Sequence, residues 1–231
     1  MSKVKTFYDR NPFPGNYSVK NFLTQQKHRD NKYINFIVDQ TKGRKTLLDI
    51  GCGTGYISNF LAYTNKDIKI TGVDFSNGVA IAKKISDKLG NKNIKWMQKD
   101  FIEMEKSKKY DVILCQGVLH HMPDYKLAVT KIKSLLKPNG IILLGVYNKW
   151  VKLLQKIAPL SFFESKILKK DQMECPFEIG FDHKDVQDMF DDYKVTASYP
   201  IISKIFPNFH LVWKANSGGL TTYKLERRKY V

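Results

Sequence analysis

Residues Leu47 to Gly55 read LLDIGCGTG. An apolar run carries the acid Asp49, and glycines follow at positions 51, 53 and 55 before a stretch of helical pattern. Gly51, Gly53 and Gly55 let the main chain turn sharply and let a ligand approach it closely. A dinucleotide-binding turn has the spacing G-x-G-x-x-G, which would need glycine where this chain has Tyr56. Cys52, inside the turn, reads as a small filler rather than a nucleophile. Asp74 closes KITGVDF just before Phe75. An acid at the end of a second strand is placed to accept both hydroxyls of a ribose. It can also cap the next helix, as Ser76 and Asn77 can. Asp100, followed by Phe101, closes IKWMQKD. A carboxylate there accepts from an adenine amino group while the ring covers the base, or it caps a helix. A fourth segment, CQGVLHHMPD, carries Gln116, His120 and His121. A histidine in a loop beside a cofactor serves as a general base, or holds the loop by bonding a carbonyl.

These residues need elements to place them. TLLDIG, KITGVDF, IKWMQKD, YDVILCQG and GIILLGVYN read as strands, and helical patterns lie between them. Strands alternating with helices give a mostly parallel sheet covered on both faces. Near-continuous apolar strands fit that burial. Ligands of such a doubly wound sheet bind outside the carboxyl ends of its strands. The expected fold is therefore α/β, with the four marked strand ends opening onto one crevice.

Helical periodicity before the sheet runs from about Val19 to Thr41. Ahead of it stands YDRNPFPGNY, Tyr8 to Tyr17, which reads as a non-helical strap stiffened by Pro12 and Pro14. After Asn148 the alternation breaks. Trp150, Leu153, Leu154 and Ile157 lie on one helical face of an insert. KVTASYP and GGLTTYKLERR read as closing antiparallel strands. The expected plan is one domain over 1–231: strap and helix 1–44, cofactor core 45–148, cap insert 149–181, closing helix and strands 182–231.

The chain has 39 basic and 22 acidic side chains, a net charge of +17. That charge marks an anionic partner, nucleic acid included, or a solvated lysine-rich surface. Only five of the basic residues are arginines, and the lysines are spread along the chain, which favours the surface. No apolar run is long enough to span a bilayer, and no secretory leader pattern is seen. Three cysteines without metal-ligand spacing suit a reducing, cytoplasmic setting.

The combination of LLDIGCGTG, Asp74, Asp100 and VLHHMPD resembles the class I S-adenosylmethionine-dependent methyltransferases over about residues 45–148. The resemblance implies a Rossmann-like seven-stranded sheet. It implies that Asp49, Gly51, Cys52, Gly53 and Gly55 hold the methionine half of the cofactor. Asp74 and Phe75 would take the ribose, Asp100 and Phe101 the adenine, with Gln116 beside them. VLHHMPD resembles the small-molecule branch, quinone-biosynthesis and phosphoethanolamine-type enzymes among them. His120 matches a catalytic histidine of the latter, which an N-terminal tyrosine latches, and Tyr8 or Tyr17 would fill that part here. FYDRNPFPGNY resembles the N-terminus of a group of bacterial methyltransferases. The implied acceptor is a small molecule methylated on oxygen, nitrogen or carbon. The insert would wall its pocket with Phe162, Phe163 and Met173. An RNA methyltransferase and a non-catalytic cofactor-binding protein are the rival readings. The amino-methylating [DNS]-P-P-[YF] signature is absent after the fourth strand.

Overall fold

The computed structural model describes residues 3–15, 17–20, 22–23, 32–149, 175–199 and 220–228. Seven strands form one mostly parallel sheet with flanking helices: β1 (Thr46–Ile50), β2 (Lys69–Asp74), β3 (Ile94–Gln98), β4 (Tyr110–Gln116), β5 (Leu136–Tyr147), β6 (Tyr193–Tyr199) and β7 (Leu220–Arg227). Their spatial order is β3-β2-β1-β4-β5-β7-β6. The chain divides into two compact units, 1–114 and 115–231, and β4 runs through the division.

In the first unit β2 pairs in parallel with β1 and with β3. Leu47, Leu48 and Ile50 of β1 are fully buried, as the apolar pattern requires. Asp111 of β4 fixes the neighbouring register by accepting the Thr46 N–H (2.9 Å) and hydroxyl (2.8 Å). Sequence order reverses between β1 and β4, which makes this the switch point of the sheet.

The helices of this unit are α1 (Lys3–Arg10), α2 (Lys32–Thr41), α3 (Tyr56–Thr64) and α4 (Gly78–Lys88). The glycine turn opens α3, and Gly90, at φ +66°, lies just past the end of α4. Residues 19–20 and 22–23 are helical, as the periodicity from Val19 leads one to expect, and α2 covers the stretch from Lys32; residues 21 and 24–31 lie outside the described set. Helix α1 corrects the reading of Tyr8 to Tyr17 as wholly non-helical. Lys5 and Asp9 pair one turn apart at 2.7 Å. The Asn11 main-chain N–H and side-chain amide both donate to the Phe7 carbonyl, closing the last turn. Pro12 then stops propagation, so the extended strap starts at Asn11.

In the second unit, α5 (Tyr125–Leu135) precedes β5 and α6 (His183–Met189) precedes β6. β5 begins at Leu136, four residues earlier than expected, because Pro138 bars helix beyond the preceding residues. β7 pairs antiparallel with both β5 and β6. Asp182 and Asp185 form a reciprocal capping box at the start of α6. The expected helical face of the insert and its wall residues Phe162, Phe163 and Met173 lie outside the described residues.

Candidate functional site

The glycine turn follows β1 and faces the end of β2. Gly51, Gly53 and Gly55 all have positive φ, at +67°, +52° and +75°. Each turn N–H has an acceptor within the protein. Gly51 and Cys52 donate to the Val73 carbonyl (2.8 and 3.2 Å), and Gly55 donates to that of Cys52 (2.8 Å). Gly53 donates to Asp74 Oδ2 (2.8 Å). Thr54 donates to the carbonyl of Phe13, in the strap (2.9 Å). A Cβ on Gly53 would run into that same Phe13 oxygen. The close approach this glycine permits is therefore made by the strap. Gly55 answers to another neighbour: a Cβ there would lie 2.5–2.6 Å from Trp96 and Ala82. Gly72 is likewise filled by the Trp96 ring. Trp96 is thus a shaping residue that reading the sequence missed. Its only sequence signal is a bulky ring on β3 level with a glycine on β2, a pairing visible only once register is known.

Two buried carboxyls flank the turn. Asp49 is held by the Ser58 hydroxyl at 2.6 Å. Burial pushes its carboxyl up to about 7, and the charge of Asp74 adds to that. Asp74, 8% exposed, accepts from Gly53 N–H through one oxygen and from Ser76 N–H (2.8 Å) through the other. Burial also raises Asp74, with Asp9 adding, while these hydrogen bonds pull it down. Asp9 of α1 accepts the Asn77 N–H at 2.8 Å, just beyond β2. Burial raises Asp9, yet Lys5 and the Asn77 N–H outweigh it and hold the carboxyl below its usual value. Burial and the Asp49 and Asp74 charges push the Cys52 thiol well up, so it stays protonated and un-nucleophilic.

The strap lies over this turn. The Thr54 hydroxyl donates to the Gly15 carbonyl (3.0 Å). Tyr17 donates to the Thr54 carbonyl (3.2 Å) and accepts from Asn59 (3.1 Å). It also packs edge-on to Tyr56 at 5.1 Å. Burial drives its hydroxyl far above the usual phenol range, so Tyr17 here is an anchor rather than a base. Tyr8 sits on Phe75, ring centres 6.5 Å apart. The structure thus brings Tyr8, Tyr17, Asp49, the three glycines, Asp74 and Phe75 into one neighbourhood of the first unit. Asp100 is exposed at the end of β3, where it caps a 3-10 turn by accepting from Ile102 N–H (3.0 Å). Phe101 behind it is buried.

In the second unit, Gln116 donates to the Leu143 carbonyl (2.7 Å) and accepts from Thr222 (3.0 Å). Its amide ties β4 to β5 and β7, so any cofactor contact from this position falls to other atoms. His120 is wholly buried and stacked on Tyr147, centres 4.0 Å apart. Its Nδ1 accepts the Tyr147 main-chain N–H at 3.2 Å. His121 has Nδ1 at 3.0 Å from the Phe177 carbonyl.

No described helix is long and apolar enough to cross a membrane. Residues 41–194 match the family described as a methyltransferase domain. A ubiquinone biosynthesis O-methyltransferase of Pasteurella multocida is 32% identical over 133 residues, 52% of this chain and 54% of that protein. A malonyl-[acyl-carrier protein] O-methyltransferase of Ilyobacter polytropus is 26% identical over 208 residues, 88% of this chain and 74% of that one. The chain spans only about a quarter to a half of the first curated relatives it matches. Among solved structures, the magnesium protoporphyrin IX methyltransferase of Synechocystis PCC 6803 with bound SAM superposes with a TM-score of 0.63 at 13% identity, over 99% of this chain and 98% of that one. With two thirds of its length inside the family match, the chain belongs to the methyltransferase-domain family and carries the fold of the S-adenosylmethionine-dependent methyltransferases.

Proposed function

We propose that this chain is an S-adenosylmethionine-dependent methyltransferase acting on a small-molecule acceptor. The observation that carries the donor assignment is the state of the glycine turn. A pyrophosphate needs free main-chain N–H groups to bind. Here all five from Gly51 to Gly55 are taken up, and the groups facing the turn are the carboxyls of Asp49 and Asp74. Such a turn repels a phosphate and suits a ligand bearing positive charge. The donor carries both a sulfonium and an amino group, so these residues fit it. In this reading Asp49 and the turn hold the methionine half, Asp74 and Phe75 the ribose, and Asp100 and Phe101 the adenine. The segment 8–17, which meets the turn through Phe13, Gly15 and Tyr17, is the lid over it. When bound, the donor supplies an electrophilic methyl group for in-line displacement. The chain's part is to orient the two reactants and exclude water.

The support for a small acceptor is the kinship with enzymes named for quinone and malonyl-carrier methylation. Incubating the protein with methyl-labelled donor and a small-molecule cell extract should yield a labelled product, identified by mass spectrometry. In the same preparation NADH should bind at least about a hundred-fold more weakly than the donor. Comparable NADH binding, or donor binding without any transfer, would overturn the reading.

A pH effect arises from Asp49. Held near 7 in the free protein, this carboxyl is largely protonated below that pH. A cationic amino group beside it favours the carboxylate, so binding expels the proton. Affinity for S-adenosylhomocysteine should therefore rise as pH climbs from about 5.5 to about 7, then level off. Calorimetry in buffers of different protonation enthalpy reads the released proton directly. Asp49→Asn should remove both the release and the slope. A slope that survives in Asp49→Asn would place Asp49 away from the donor.

A further inference from the structure

Two acids far apart in the chain meet at the turn after β2. Asp74 accepts the Ser76 N–H (2.8 Å), and Asp9 of α1 accepts the next one, that of Asn77 (2.8 Å). Consecutive main-chain N–H groups thus hold the two carboxyls side by side. The other Asp9 oxygen pairs with Lys5 at 2.7 Å, and the Asp9 side chain is only 17% exposed. Next to it in α1, Tyr8 rests on Phe75. Burial raises the Asp74 carboxyl, and the charge of Asp9 adds to that. Burial also raises Asp9, but Lys5 and the Asn77 N–H outweigh it, so Asp9 is ionised at neutral pH.

One role for Asp9 is to cap α4. Asn77 makes no side-chain cap of its own, and its amide oxygen accepts from Gln98 instead (3.0 Å). A cap needs only an oxygen, however, and asparagine at position 9 would supply one equally well. The charge brings something a cap does not require, which is repulsion against Asp74 from the neighbouring N–H. That repulsion opposes the docking of α1 over an empty site. A positive ligand at the site relieves it.

We propose that Asp9 makes the lid sensitive to the charge of its ligand, so that the protein holds the sulfonium donor more firmly than the spent product. This rests on the methyltransferase reading above. S-adenosylmethionine carries one more positive charge than S-adenosylhomocysteine, and that charge is on sulfur. During transfer the methyl carbon bonds to the acceptor as the carbon–sulfur bond breaks. The bond pair stays on sulfur, which becomes neutral. The attraction that offset the repulsion between Asp9 and Asp74 is then gone, so α1 loosens and the product can leave. Asp49, assigned above to the amino group, faces a charge that donor and product share, so it does not tell them apart. Lys5 screens Asp9 and sets how much of its charge the ligand feels.

Both ligands can be titrated calorimetrically without any acceptor. Asp9→Asn should cut the ratio of S-adenosylmethionine affinity to S-adenosylhomocysteine affinity by about three- to ten-fold. Lys5→Gln, which leaves Asp9 unscreened, should raise that ratio. Each ratio compares two ligands on one variant, so a general loosening of the lid cancels. In the wild-type protein, saturating S-adenosylmethionine should slow tryptic cleavage at Arg10 more than saturating S-adenosylhomocysteine does. In Asp9→Asn the two should protect equally. A ratio unchanged in Asp9→Asn, or moved in the same direction by Asp9→Asn and Lys5→Gln, would leave Asp9 a cap of α4 alone and overturn the proposal. Equal protection of the wild-type protein by the two ligands would do the same. A wild-type protein that binds neither ligand would refute the methyltransferase reading and this role with it, whereas binding of both with an unmoved ratio would refute the role of Asp9 only.

Discussion

Asp74→Ala should weaken S-adenosylhomocysteine binding by roughly ten- to a hundred-fold or more, since hydrogen bonds to a charged group contribute about 1.5–3 kcal/mol each. The variant does two things at once. It removes the proposed ribose acceptor, and it leaves the Gly53 and Ser76 N–H groups without the carboxylate they now use. The second loss loosens the turn and should lower thermal stability as well, by about 1–3 kcal/mol for a buried donor left unsatisfied. Asp74→Asn separates the two. Its amide oxygen can still accept one of the main-chain N–H groups, while the charge is gone. Stability should be largely restored in Asp74→Asn, with donor affinity still well below wild type. Calorimetric titration and thermal melts on both variants make the comparison. A folded Asp74→Ala protein with undiminished affinity would remove Asp74 from the donor site.

The parts of this site that were legible in the sequence are those whose chemistry is local. Gly51, Gly53 and Gly55 announce a turn because their backbone angles are needed within the turn itself. The strand ends at Asp49 and Asp74 come from apolar runs that the observed β1 and β2 reproduce. What stayed hidden depends on partners far apart in the chain. The strap carbonyl of Phe13 meets Gly53 across forty residues, so nothing local favours a protein neighbour over a ligand there. Trp96 fills Gly72 and Gly55 only through strand register. Gln116 looked like a strand-end ligand, yet its amide is turned into the sheet by Leu143 and Thr222. Adjacent histidines look alike in a string of letters. Tyr147 and Phe177, 27 and 56 residues away from their partners, set a main-chain N–H against one Nδ1 and a carbonyl against the other. The N-terminal helix was missed for a different reason. Pro12 and Pro14 dominated the reading, although a proline restricts only its own position, the residue before it and the turn it would otherwise join. Lys3–Arg10 is therefore left able to wind.

Removing residues 1–17 should abolish methyl transfer, by at least about a hundred-fold, while the sheet still folds. The strap makes specific contacts rather than a general apolar one. Thr54 N–H and hydroxyl bond its Phe13 and Gly15 carbonyls, Tyr17 spans the Thr54 carbonyl and Asn59, and Asp9 takes the Asn77 N–H beyond β2. Those contacts fall on the two turns, after β1 and after β2, that the donor would occupy between them. Deleting the strap exposes the Thr54 N–H and opens the turn to bulk water, which competes with the acceptor and screens the carboxyls of Asp49 and Asp74. Donor affinity should fall together with turnover, because the lid and the donor share the same turn. A strap that docks only for stability makes a different prediction. Its loss would lower the melting temperature and leave affinity and rate per folded molecule unchanged. Far-ultraviolet circular dichroism, S-adenosylhomocysteine titration and labelled-methyl transfer on the truncated chain distinguish the two. In the intact protein, tryptic cleavage at Arg10 and amide exchange over residues 8–17 should both slow when S-adenosylhomocysteine is added, since donor and strap then hold one another in place. Cleavage that is indifferent to the ligand, in a protein that binds it, would mean that the strap covers the turn but not the donor.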